Sequence, residues 1–176
     1  MLATSWYMVV FRIVHIGAGV LWVGSVFLFV VYVQPSVAAI APAGAPFMAE
    51  LLGKRRLVDR IIALALTTVV AGLFLYWHDW HQYPSFGDWI GSEFGASLTV
   101  GFVAAVAALS IGIGVTRPGV ARLLALGRQA AEAGGAPAPE VAAEMGTVQG
   151  RLRRAARTSL ALLLLAVLTM AVARYL

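Results

Sequence analysis

The chain has 176 residues, 61% of them hydrophobic and 12% charged, with a mean hydropathy of +0.87. Soluble domains are nearer half apolar and a quarter charged, so a water-soluble fold is excluded and the composition is that of an integral membrane protein. The net charge of +5 resides on basic residues that flank apolar runs, which is an insertion signal and not a nucleic-acid footprint, and the absence of cysteine removes disulfides, thiolate metal sites and cysteine nucleophiles.

The first apolar run covers residues 6–33 and reaches Gln34-Pro35. At about 20 residues per hydrocarbon core it spans a bilayer, and the proline is expected to stop it, because proline biases its predecessor away from helical angles. The small-residue triplets VAA, APA and AGA that follow resemble signal-peptide cleavage sites. The run is nevertheless read as an anchor: it is too long for a signal core, lacks a basic leader, and contains Arg12, His15 and Trp22. The connection after it carries Lys54, Arg55, Arg56 and Arg60, with Glu50 and Asp59 available as their partners.

The second run covers residues 57–78. Residues 79–96 then hold Asp79, Asp88 and Glu93 and no lysine or arginine, with Trp77, Trp80, Tyr83 and Trp89 at the boundary where amphipathic rings settle. The third run covers 97–116, with a proline stop expected at Arg117-Pro118. It carries two small-residue rows, Ser97/Gly101/Ala105 and Ala104/Ala108/Gly112, and the second run carries Thr67, Thr68 and Gly72. Lipid tails are as apolar as leucine, so close packing of such small residues is what draws membrane helices together. The hydroxyls are expected to bond back to carbonyls of their own helices.

Residues 119–157 read as a helical hairpin extending the third and fourth spans. GGAPAP at 134–139 is its turn, and Val141, Met145, Val148 and Leu152 form a face opposite Leu123, Gly127 and Ala130. The fourth run covers 158–174. The positive-inside rule puts the two basic connections in the cytoplasm, and the middle loop and both termini on the other side. The expectation is therefore an all-α, polytopic protein of the bacterial inner membrane: one four-helix transmembrane domain over 1–176 with a cytoplasmic hairpin.

The candidate site lies in the first run. Arg12, His15, Gly19 and Trp22 recur at helical spacing on one face. An ionisable group facing lipid costs roughly 2.5–3.5 kcal/mol, so this face is expected to point into the bundle. One ligand that suits it is haem b, because imidazole is an axial ligand, small residues beside His15 let a flat macrocycle approach the backbone, and Arg12 can pair with a propionate. His15 lies about 12 Å inside a span beginning near Tyr7. His78 reaches a similar depth if the second helix continues through WHDWHQY, so it is the candidate second iron ligand, with His81 at the surface. A neutral structural His15, with Arg12 snorkelling outward, is the alternative. A proton, quinone or other small-ligand role is a third. A copper path lacks thiols and has only scattered methionines, and GIGVTRPG lacks the strand-turn-helix setting of a phosphate loop.

The stretch FRIVHIGAGVLWVGSVFLFVVYVQPSV, with its histidine, its tryptophan-hydrophobic-glycine and its following proline, resembles the opening helix of the copper-resistance D-like membrane proteins. KRRLVDRIIALALTTVVAGLFLYW is similar to their second helix, and RLRRAARTSLALLLLAVLTMAVARYL to the ends of many bacterial four-helix membrane proteins. A related group, the J-type protoporphyrinogen oxidases, binds haem through a first-helix histidine. That resemblance implies His15 as ligand, with Arg12 at that group's basic position. Their third helix carries a lysine and later a histidine. SLTVGFVAAVAALSIGIGV has neither, which leaves oxidase chemistry without its residues.

The expected function is a small haem-binding membrane protein with a redox or electron-transfer role. The alternatives are a non-enzymatic accessory or scaffold subunit of a larger membrane complex, or a homo-oligomer, and lastly copper or small-solute transport, for which the broken-helix pairs typical of transporters are missing. The bilayer is the expected partner, and nucleic acid is not.

Overall fold

The computed structural model describes residues 6–134 and 137–176. Among them the chain is all helix, without a strand. Four helices are long and apolar enough to cross a membrane: α1 (Trp6–Ala39), α3 (Leu57–Trp80), α5 (Glu93–Glu132) and α6 (Pro139–Tyr175). Two short elements connect them, α2 over 45–54 and α4 (Phe86–Gly91). Residues 135 and 136 of the expected GGAPAP turn lie outside the described residues, as do residues 1–5 of the expected outer terminus.

The prolines expected to end the first and third spans do not end them. Before each, the helix widens into a π turn. At Phe29–Val33 the Gln34 N–H reaches back to the Phe29 carbonyl, and at Gly112–Thr116 the Arg117 N–H reaches back to that of Gly112. Proline brings no N–H and pushes its ring at the carbonyl four residues earlier. A turn already wound to i→i−5 absorbs that mismatch, so α1 runs on through Pro35 and α5 through Pro118. At 1.5 Å per residue α1 is about 51 Å long and α5 about 60 Å, well beyond a hydrocarbon core of about 30 Å. The spans expected at 6–33, 57–78, 97–116 and 158–174 are therefore parts of longer rods.

The bundle is built from two intimate pairs, α1 with α3 and α5 with α6. Small residues set their approach. A Cβ added at Gly101 would meet Thr169 Oγ1 at 2.7 Å and Met170 Cγ at 2.8 Å, and Ser97 Oγ donates to the Thr169 carbonyl at 2.8 Å. Ser97 thus bonds across helices, unlike the expected back-bond, which does hold for Thr67, Thr68, Thr99 and Ser110. The two pairs meet over Trp22, Ala65, Ala104, Ala105, Ala108 and Ala166, with Leu163 filling the centre. Large apolar side chains such as Ile13, Val20, Leu21 and Leu168 face outward, as membrane helices require.

Past the spans, the second half of α5 packs on the first half of α6. Gly119 closes on Leu152, and Arg122 clasps Glu144 through Nε–Oε1 at 2.7 Å and Nη2–Oε2 at 2.8 Å. Val120 and Leu126 are the buried residues on the α5 side, while Leu123, Gly127 and Ala130 are half-buried. At the opposite end, Ser85 and Ser92 cap α4 and α5 by accepting from the Asp88 and Gly95 N–H groups. These caps fold α4 under the bundle, so Trp89 is fully buried against Tyr76, Tyr83 and Phe94. That corrects its expected place among the interfacial aromatics. Its Nε1 has no partner.

Candidate functional site between the first and second spanning helices

His15 points from α1 into α3. Its Nδ1 lies 2.8 Å from the Thr68 carbonyl. A carbonyl only accepts, so Nδ1 carries the proton and, in the neutral ring, Nε2 is left with its lone pair. The receiving surface is prepared by two residues of α3. Thr68 turns its hydroxyl back to the Leu64 carbonyl at 2.8 Å, a bond that tends to bend a helix locally. Gly72, one turn further, gives the ring its room: a Cβ there would stand 2.7 Å from Cε1 and 2.8 Å from Nδ1 of His15. One turn inward, Gly19 sits over Thr68 Cγ2, 3.4 Å from where its own Cβ would be. Trp22 continues the face into the core and is 4% exposed.

His15, Gly19 and Trp22 therefore form one interior face, as expected. Arg12, expected to point into the bundle with them, is instead exposed at the N-terminal end of that face, where its long side chain reaches out of the bundle. The carboxylate of Asp79, at the end of α3, lies in the field of both Arg12 and His78. Phe11 and Phe74 stack at 4.8 Å and join the helices between the two levels.

His78 is not brought to His15. It lies in the last turn of α3 and meets the Tyr7 ring edge-on at 6.4 Å. Six residues beyond Gly72, it stands about 9 Å further along the helix than the glycine that seats His15. His81 is exposed, caps α3, packs at a tilt against the Trp77 and Trp80 rings, and bonds through Nδ1 to the Trp77 carbonyl at 2.8 Å. No group of three or more His, Cys, Asp or Glu side chains among the described residues is arranged to hold a metal ion.

From the sequence Thr68 and Gly72 read as packing residues, whereas in the structure they seat His15. The available signal was the Thr-x-x-x-Gly spacing on α3 opposite a lone interior histidine. The sequence places Asp79 in the middle connection, yet in the structure it is helical and adjacent to His78.

The opposite end of the bundle holds the ion pairs. Asp59 accepts from Arg56 Nε and from Arg117 Nε, both at 2.9 Å, which ties the start of α3 to the π turn of α5. Glu50 pairs with Arg55 at 3.1 Å and with Lys54 at 3.3 Å. Arg55 first and Lys54 second hold the Glu50 carboxyl below its ordinary value.

No known family, curated protein or solved structure matches this chain.

Proposed function

We propose that this protein is a small haem-binding protein of the bacterial inner membrane, with His15 as the axial ligand and a redox or electron-transfer role. The observation that supports this reading is the bond from His15 Nδ1–H to the Thr68 carbonyl. Ligating histidines generally donate their other ring N–H in this way, which fixes tautomer and ring orientation and raises the basicity of the ligating nitrogen. The bond leaves Nε2 as the free base. Haem, when bound, supplies a one-electron couple.

The protein's own residues do the rest. Thr68 and Gly72 orient the imidazole, and Arg12 would offer a guanidinium to a propionate. His78 is not a second ligand in this reading but a neighbour of Tyr7 on the outer rim. The resemblance to the copper-resistance D-like and J-type oxidase proteins supports the same ligand position. By the positive-inside rule, the end bearing Arg56, Arg60 and Arg117 is cytoplasmic. The extension of α5 and α6 then projects into the cytoplasm, and the His15 level lies in the outer half of the bilayer.

Titrating the purified protein with haemin tests the proposal. A saturable Soret shift at one haem per chain is expected, abolished by His15→Ala and kept by His78→Ala; equal uptake by the His15→Ala protein overturns it. A second reading, a colourless scaffold subunit, draws on the same bond, because His15 then serves only as a clamp between α1 and α3. In that case His15→Ala lowers thermal stability and no variant takes up haemin stoichiometrically.

A further inference from the structure

At the basic end of the bundle, a cavity of about 530 Å³ opens between the start of α3, the segment before it and the π turn of α5. Its wall is apolar, with Leu52, Val58, Ile113 and Leu124, and its rim carries the Arg56–Asp59–Arg117 triad. Both arginines reach Asp59 through Nε, so their Nη donors remain available for another acceptor. Two guanidiniums share one carboxylate, which leaves the rim with a net positive charge. Lys54, Arg55 and Arg60 stand close by in sequence, and only Glu50 opposes them.

Two backbone features border the cavity. Both π turns that border it, 50–54 and Gly112–Thr116, contribute lining residues. Arg56, between the first of them and α3, adopts φ 49° and ψ 43°, the left-handed region that a long side chain rarely occupies. Strained backbone of this kind persists where the surroundings enforce it and clusters at ligand clamps. Here it turns the chain so that Arg56 faces Asp59, Arg117 and the cavity mouth.

We propose that this cavity binds a phosphate-bearing anion, and that its source is the headgroup of an anionic phospholipid. Planar guanidinium donors match phosphate oxygens in pairs, and basic pockets between spanning helices are where acidic lipid headgroups lodge. The lipid source follows from the setting. The rim lies where α3 begins its apolar span at Leu57 and where α5 passes from its apolar half to Arg117. A headgroup at the arginines therefore lays its chains against Val58 and Ile113. This inference does not depend on the haem reading.

Native mass spectrometry of the purified full-length chain, with dioleoyl phosphatidylglycerol or dioleoyl phosphatidylcholine added in mild detergent, tests it. Phosphatidylglycerol is expected to be retained about tenfold more than phosphatidylcholine. Arg117→Gln is expected to erase that preference and Arg174→Gln, at the opposite end of the bundle beyond the Ser97–Thr169 contact, to keep it; a charge-assisted hydrogen bond is worth about one such decade. Asp59→Asn frees both guanidiniums and is expected to raise retention, a change that a merely destabilised protein does not produce.

A separate arm adds millimolar inorganic phosphate and reads thermal stability. Stabilisation by phosphate that Arg117→Gln removes, without any lipid preference, keeps the site and assigns it a soluble anion. Equal retention of the two lipids together with no response to phosphate overturns the proposal, and so does a preference that survives in Arg117→Gln.

Discussion

A single imidazole decides how α1 and α3 meet, and the smallest residue on α3 makes room for it. A methyl group at Gly72 would stand 2.7 Å from His15 Cε1, so Gly72→Ala must move the ring and stretch its bond to Thr68. Overpacking a tight site and losing a partly buried hydrogen bond together cost roughly 1–4 kcal/mol. Thermal unfolding in detergent should show that loss for Gly72→Ala and none for Gly17→Ala, whose added Cβ meets nothing within 4 Å. A Gly72→Ala protein as stable as its parent would mean that His15 is not held where the structure puts it.

Ionisation at the other end makes a smaller claim. Glu50 has its carboxyl held low by Arg55 and Lys54, so its pairing is present above the ordinary carboxylate range and is lost as the pH falls through the lowered value. An NMR titration of Glu50 should therefore show a midpoint below that of a free glutamate, and Arg55→Gln should move it up. Because these groups lie at the solvent-accessible surface, melting temperature is expected to respond little.

At the scale of the element, the π turn before a proline is the recurring device. Proline after an apolar run reads as a stop by every local rule, and the sequence offers no sign that Pro35 and Pro118 are exceptions until the i→i−5 bonds ahead of them are seen. Since the helices already pass through both prolines, Pro118→Ala adds one N–H but no new helix. Far-UV circular dichroism of Pro118→Ala should match the parent, whereas a gain in helical signal would show that the proline ends α5 after all. Legibility varied for the same physical reason elsewhere. The apolar runs and small-residue rows follow from composition and period, and α4 was hidden because its caps, Ser85 and Ser92, sit in a segment dominated by aromatic residues. Trp89 reads as interfacial by type, and only the chain reversal created by those two caps buries it.

Across the whole molecule, two close helix pairs share a seam of alanines around Trp22 and Leu163, and the charged groups lie towards its two ends. One end carries Arg12, His78 and Asp79, with His15 further along α1 towards the seam. The other gathers Arg56, Asp59 and Arg117 around a cavity. The four spans and the interior direction of the His15 face were legible because apolar length and helical period are local quantities. The Thr68 carbonyl, the register offset of His78 and the Asp59–Arg117 pair, 58 residues apart in sequence, were not, because they depend on which helices become neighbours. Leu163 is 1% exposed at the meeting point of the pairs. Truncating it to alanine should cost roughly 2–5 kcal/mol, read as a lowered melting temperature in detergent, and a neutral result would place the seam elsewhere.

The central claim is that the imidazole seated on Thr68 offers its free nitrogen to haem iron. The most direct measurement is the absorption spectrum of the protein isolated from membranes of haem-replete cells, alongside His15→Ala prepared identically. The account predicts a Soret band in the parent that sharpens and shifts on dithionite reduction and is missing from His15→Ala. A parent protein that is colourless as isolated and stays so after haemin addition, or an unchanged Soret band in His15→Ala, would contradict it.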